Sequence, residues 1–135
     1  MGDPSVLRVA FRVEASARIG TGHLMRCLTL ADALARRGAA CHFLARDWGP
    51  QRGLVLSRGH EAVTLPAWSS AGAPAPDRED PPHADWLGGP WQEDAEQTRL
   101  QLARIGAGWL VVDHYALTAA WERAVRSGTR YLVVI

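Results

Sequence analysis

The sequence predicts an α/β fold, a parallel sheet with helices on both faces. Three observations predict it. Short runs rich in Val, Leu and Phe alternate along the chain with segments of helical periodicity. A glycine-bearing loop stands between the first strand and the first helix. The run Trp109-Leu110-Val111-Val112 is apolar at every position, as in a strand covered on both faces.

The elements follow in order. Val6 to Val13 reads as a Val-rich strand with partial alternation. Residues 14–22 form a loop holding Gly20 and Gly22. From His23 to about Arg37 the apolar set Leu24, Cys27, Leu28, Ala31, Leu34 and Ala35 recurs at helical spacing, with Gly38 as the stop. Ala40 to Ala45 is a second strand, Pro50 to Arg58 a short helix, and Ala62 to Leu65 a third strand. Residues 66–90 carry six of the eight prolines and predict a long irregular loop. A helix is expected over Gln92–Arg104, a fourth strand over Trp109–Val112, a helix over Thr118–Arg126 and a fifth, buried strand over Tyr131–Ile135. Right-handed crossovers then give a Rossmann-like sheet of order 3-2-1-4-5, with ligand-facing loops after Val13 and Val112 sharing one crevice.

Composition narrows the function classes. The chain has 135 residues, enough for one domain with a real core. Hydrophobic residues are 47% and charged residues 21%, which excludes wholesale disorder. A net charge of +1, with interspersed signs, argues against nucleic-acid or polybasic membrane binding. No stretch approaches ~18 uninterrupted apolar residues, and no signal peptide is visible, so a cytoplasmic location is expected. All fifteen basic residues are Arg, so Schiff-base and Walker-type lysine chemistry is unavailable within this chain. Cys27 and Cys41 lack any paired-ligand spacing and read as buried thiols. No metal and no cofactor are expected.

Two constellations could carry chemistry. The first is Arg18-Ile19-Gly20-Thr21-Gly22-His23-Leu24-Met25-Arg26. A glycine pair before a helix lets backbone N–H groups approach a ligand, although Met25 breaks the dinucleotide fingerprint. His23 sits at the positive end of a helix, where the field disfavours an imidazolium and suits a base. Arg26, one turn on, could bind phosphate or pair with a carboxylate. The second is Asp113-His114-Tyr115, at the end of the buried strand. There Asp113 could orient a histidine, hold a sugar hydroxyl or cap the next helix, and His114 and Tyr115 could contact substrate. His42, His60 and His83 carry no such signal. Trp109 and Trp121 read as core, while Trp86 and Trp91 flank the proline-rich loop.

These segments resemble one family. Residues 12–38 (RVEASARIGTGHLMRCLTLADALARRG), 84–98 (ADWLGGPWQEDAEQT) and 110–122 (LVVDHYALTAAWE) are similar to UDP-2,4-diacetamido-2,4,6-trideoxy-β-L-altropyranose hydrolases of the pseudaminic acid pathway. The resemblance implies a glycosyltransferase-B-like architecture of two Rossmann-like domains. It implies metal-independent attack of water on the anomeric carbon of a UDP-sugar, releasing UDP. The family's catalytic histidine falls on His23, as general base. Glu14, Gly20, Gly22, Arg26, Asp94, Asp113, His114 and Tyr115 would contact substrate. Glu14-Ala15-Ser16 departs from the family's usual Asp-Ala-Ser by one methylene. Relatives continue beyond the fifth strand into a second domain with most of the nucleotide site. The chain is therefore expected to be the sugar-facing N-terminal domain, residues 1–135, of a longer enzyme and inactive by itself. Two other readings stay open: the acceptor domain of a nucleotide-sugar glycosyltransferase, and an inactive truncated α/β module.

Overall fold

The computed structural model describes residues 5–14, 22–69, 87–114 and 116–135. Five strands form one sheet: β1 (Arg8–Val13), β2 (Ala40–Ala45), β3 (Glu61–Thr64), β4 (Trp109–Asp113) and β5 (Tyr131–Val134). Among the described residues four α-helices accompany them: α1 (Gly22–Arg36), α2 (Arg52–Ser57), α3 (Trp91–Ile105) and α4 (Ala119–Val125). The order is β3-β2-β1-β4-β5, and every pairing is parallel. This is the expected fold class, a Rossmann-like α/β sheet, with each expected element present and its ends shifted by one or two residues.

Side-chain alternation divides the core between two faces. Val9, Phe11, Val13, Cys41, Phe43, Ala45 and Val111 meet Leu24, Cys27, Leu28 and Ala31 of α1 and Val55 of α2. Phe11 and Phe43 stack with centroids 4.6 Å apart. On the other face, Ala10, Leu44, Leu110 and Val112 meet Ala95 and Leu102 of α3 and Trp121 and Val125 of α4. Each such side chain contributes about 1.5–3 kcal/mol on full burial. The helix α3 ends at Gly106, whose φ of +75° gives the left-handed turn that lets its N–H reach the Leu102 carbonyl.

Both cysteines are free and buried. Burial pushes the Cys27 thiol up to about 12 and the Cys41 thiol up to about 11, so neither is a ready nucleophile. His60 is likewise structural. It pairs through Nε2 with Asp32 Oδ1 at 2.8 Å, and Arg58 binds the other carboxylate oxygen.

The fifth strand corrects the expectation of a buried element. Tyr131, Val133, Val134 and Ile135 are exposed, and only Leu132 is partly covered. Among the described residues, β5 is an outer strand, and α1 and α2 pack over β1 to β3 instead. Trp109 is half-buried for the same reason, stacked on Tyr131 with centroids 4.4 Å apart. Trp121 is core as expected. Within the described residues no helix is long and apolar enough to cross a membrane.

Candidate functional site

The pairing of β1 with β4 puts Val13 beside Asp113 at the carboxyl edge of the sheet. Asp113 points to the α1 face and is 1% exposed. The first turns of α1 present His23, Arg26 and Cys27, whose i, i+3, i+4 spacing places them on one side of the helix. All three converge on that carboxylate. The ring N–H at Nδ1 of His23 donates to Asp113 Oδ1. Arg26 donates from Nη2 to both carboxylate oxygens at 3.0 Å and from Nε to Oδ2 at 3.3 Å. The Cys27 thiol donates to Oδ2 at 3.8 Å. The histidine is thereby oriented from one side, with Nε2 as the nitrogen able to accept a proton. Of the roles open to Asp113 in the sequence, the structure displays the orientation of a histidine; the helix after it, α4, has Thr118 at its N-cap and no side-chain cap bond.

One residue further, both strands turn to the opposite face. There His114 lies against Glu14, and both are buried. The N–H of Ala116 donates to His114 Nδ1 at 3.0 Å, so the ring proton belongs on Nε2 and is directed to Glu14 Oε2 at 3.3 Å. Burial lowers the His114 pKa and favours the neutral ring, against the opposing pull of Glu14. Glu14 and His114 thus share the edge with the His23–Asp113 pair, one pair on each face.

Asp94, expected as a substrate contact, is engaged by side chains of the protein itself. It lies in the first turn of α3 and is 0% exposed. Arg12 donates to it from Nη2 at 2.6 Å and from Nε at 3.2 Å. Arg46 Nη2 reaches Oδ2 at 3.0 Å, and the Trp121 indole N–H reaches Oδ1 at 2.9 Å. Burial alone would raise the Asp94 carboxyl, but the Arg12 and Arg46 guanidiniums overcome it and hold the group at about 2. Arg12, Arg46 and Trp121 thus hold Asp94 in the fold beneath the edge.

Arg12 and Arg46 were not anticipated as site-supporting residues. Arg12 is fully buried at the end of β1 and also caps the Val13 carbonyl at 2.6 Å. Arg46 follows β2. It bonds Gln97 at 2.6 Å and the Pro66 carbonyl, and lies 3.5 Å over the Trp68 ring. For Arg12 the signal available in the sequence was an arginine between Phe11 and Val13 in a Val-rich strand.

The remaining expectations divide. Gly22 is the first residue of α1, and a Cβ there would meet nothing within 4 Å. Gly20 and Tyr115 lie outside the described residues, as do residues 70–86 of the proline-rich loop. A cleft of about 750 Å³ opens at the other end of the strands, bordered by Arg8, His42, His60, Glu61 and Arg104. It includes none of the residues that meet at the carboxyl edge. Among the described residues, no group of three or more His, Cys, Asp or Glu side chains is arranged to hold a metal ion.

No protein-family model matches the chain, and no curated protein does. Solved structures do match its fold. A glycosyltransferase from Rickettsia africae ESF-5 superposes with a TM-score of 0.60 at 10% identity, over 96% of this chain and 29% of that one. Glycosyltransferase VinC, solved in complex with dTDP, superposes with a TM-score of 0.51 at 18% identity, over 95% of this chain and 34% of that one. The chain spans about a third of the length of these structures. Identities this low show the fold alone: a parallel α/β fold shared with about a third of each of two glycosyltransferases.

Proposed function

We propose that this chain is the sugar-facing domain of an enzyme that hydrolyses a UDP-linked 2,4-diacetamido-2,4,6-trideoxy sugar. The observation that carries the proposal is the His23–Asp113 hydrogen bond at the carboxyl edge of the parallel sheet, where such folds bind ligands. His23 takes a proton from water at Nε2. The water oxygen attacks the anomeric carbon, the bond from that carbon to the diphosphate oxygen breaks, and its electron pair leaves with UDP. Asp113 holds the imidazole in the tautomer this needs, as a carboxylate does in other histidine-based sites. Glu14 and His114 face the same edge and are assigned to the sugar hydroxyl and amide groups, with Gly20, Gly22 and Tyr115 on the bordering loops. Most of the nucleotide contacts belong to a second domain of the same polypeptide.

A second reading is compatible with the glycosyltransferases that share the fold. In it the same dyad deprotonates an acceptor hydroxyl instead of water. The test is UDP release by the complete gene product, with and without candidate acceptor sugars. Release without acceptor, lost in His23→Ala, supports hydrolysis. Strict dependence on an acceptor supports transfer.

A further inference from the structure

Asp113 presents a physical problem that His23 does not solve alone. A carboxylate 1% exposed needs a compensating positive charge as well as hydrogen bonds. If the compensation came from His23, the ring would be held as an imidazolium, which is no base. The groups facing Asp113 settle what else can supply it. From α1 they are His23, Arg26 and Cys27. From β1 the register partner is Val13, which is apolar. Arg12, Asp94, Glu14 and His114 belong to the other face of the sheet. Among the described residues, Arg26 is the cation at this carboxylate, and it touches both oxygens. Its Nη2 also lies 3.0 Å from His23 Nδ1.

We propose that Arg26 is a positioning residue: it neutralises Asp113 so that His23 rests as the neutral Nδ1–H tautomer, with Nε2 ready to accept a proton. The sequence offered Arg26 as a phosphate ligand or a carboxylate partner, and its bonds to Asp113 assign it the second role. The inference builds on the reading of His23 as base, but its test does not need turnover.

The experiment is imidazole-nitrogen NMR of the chain at neutral pH, with the His23 signals identified by their loss in His23→Gln. Far-UV circular dichroism checks folding of each variant. Wild type and Arg26→Lys should show the neutral Nδ1–H pattern. Arg26→Gln should show an imidazolium that becomes neutral only at higher pH. An imidazolium in wild type or in Arg26→Lys, or a wild-type pattern in Arg26→Gln, overturns the proposal. Should Arg26→Gln fail to fold, the double variant Arg26→Gln/Asp113→Asn decides. Removing the uncompensated charge should restore both the fold and the neutral ring, and continued unfolding overturns the proposal. The two readings fail separately. Absence of UDP release from the complete gene product sinks the hydrolase but leaves this spectrum to judge Arg26, whereas release with an unchanged Arg26→Gln spectrum sinks only Arg26.

Discussion

His23 and Asp113 stand 90 residues apart in the chain and share a hydrogen bond from ring Nδ1 to carboxylate. The contact links the first turn of α1 to the last residue of β4, two elements brought together by the β1–β4 pairing. On the mechanism proposed, His23→Ala lowers the rate of UDP release by about 10²–10⁴-fold, the usual contribution of a positioned base. Substrate binding should survive. Steady-state kinetics with a direct binding measurement checks both parts.

Asp113→Asn should retain the fold but weaken control of the His23 tautomer. A loss of about 10²–10⁴-fold in turnover is expected, with little change in KM. A KM effect alone would make Asp113 a substrate ligand.

The Asp94 cluster should behave as a stability element. Removing one partner of a buried ion pair costs about 3–5 kcal/mol, so Asp94→Ala should lower the urea midpoint strongly. Turnover per folded molecule should change far less than in His23→Ala. Comparing urea unfolding with activity in the folded baseline separates the two effects.

The same cluster gives a pH dependence of definite sign. Asp94 is held at about 2 in the fold, below its ordinary 3.8. Its stabilisation is complete above the ordinary value and is lost as pH falls through that value toward about 2. The loss amounts to about 2 kcal/mol. His114, lowered by burial, acts earlier: its share is present above the ordinary histidine value of 6.5 and declines as pH falls below it. Urea midpoints across the acid range should fall in both regions, and Asp94→Asn should flatten only the lower one.

The sequence carried these two regions unequally. The sheet order, the helix faces and the shared crevice of the loops after Val13 and Val112 were legible because each follows from local periodicity plus the handedness of crossovers, whereas the pairing of His23 with Asp113 was one of several roles left open. The role of Asp94 was not. It depends on Arg12, 82 residues away, and on Arg46, 48 residues away, and nothing local distinguishes a buried arginine from a solvated one. The exposure of β5 was also illegible, because an apolar strand looks alike whether or not something lies on it. Trp109 and Tyr131 show the consequence, stacking on each other at a half-open face.

Gly89 offers a steric test of the segment beside Arg46. A Cβ there would lie 2.4–2.7 Å from atoms of the Trp68 ring, the ring that also carries the Arg46 guanidinium. Gly89→Ala should displace Trp68 and destabilise by about 1–3 kcal/mol, as overpacking does. Trp68→Phe provides the fluorescence reference for the displaced indole, and an unchanged midpoint and spectrum in Gly89→Ala would contradict the contact.

The most direct test of the central claim is hydrolysis of the UDP-sugar by the complete gene product in isotopically labelled water, with no acceptor present. Base-assisted attack at the anomeric carbon predicts label in the released sugar, none in UDP, and loss of the reaction in His23→Ala. Label in UDP, or equal turnover by His23→Ala, would contradict it.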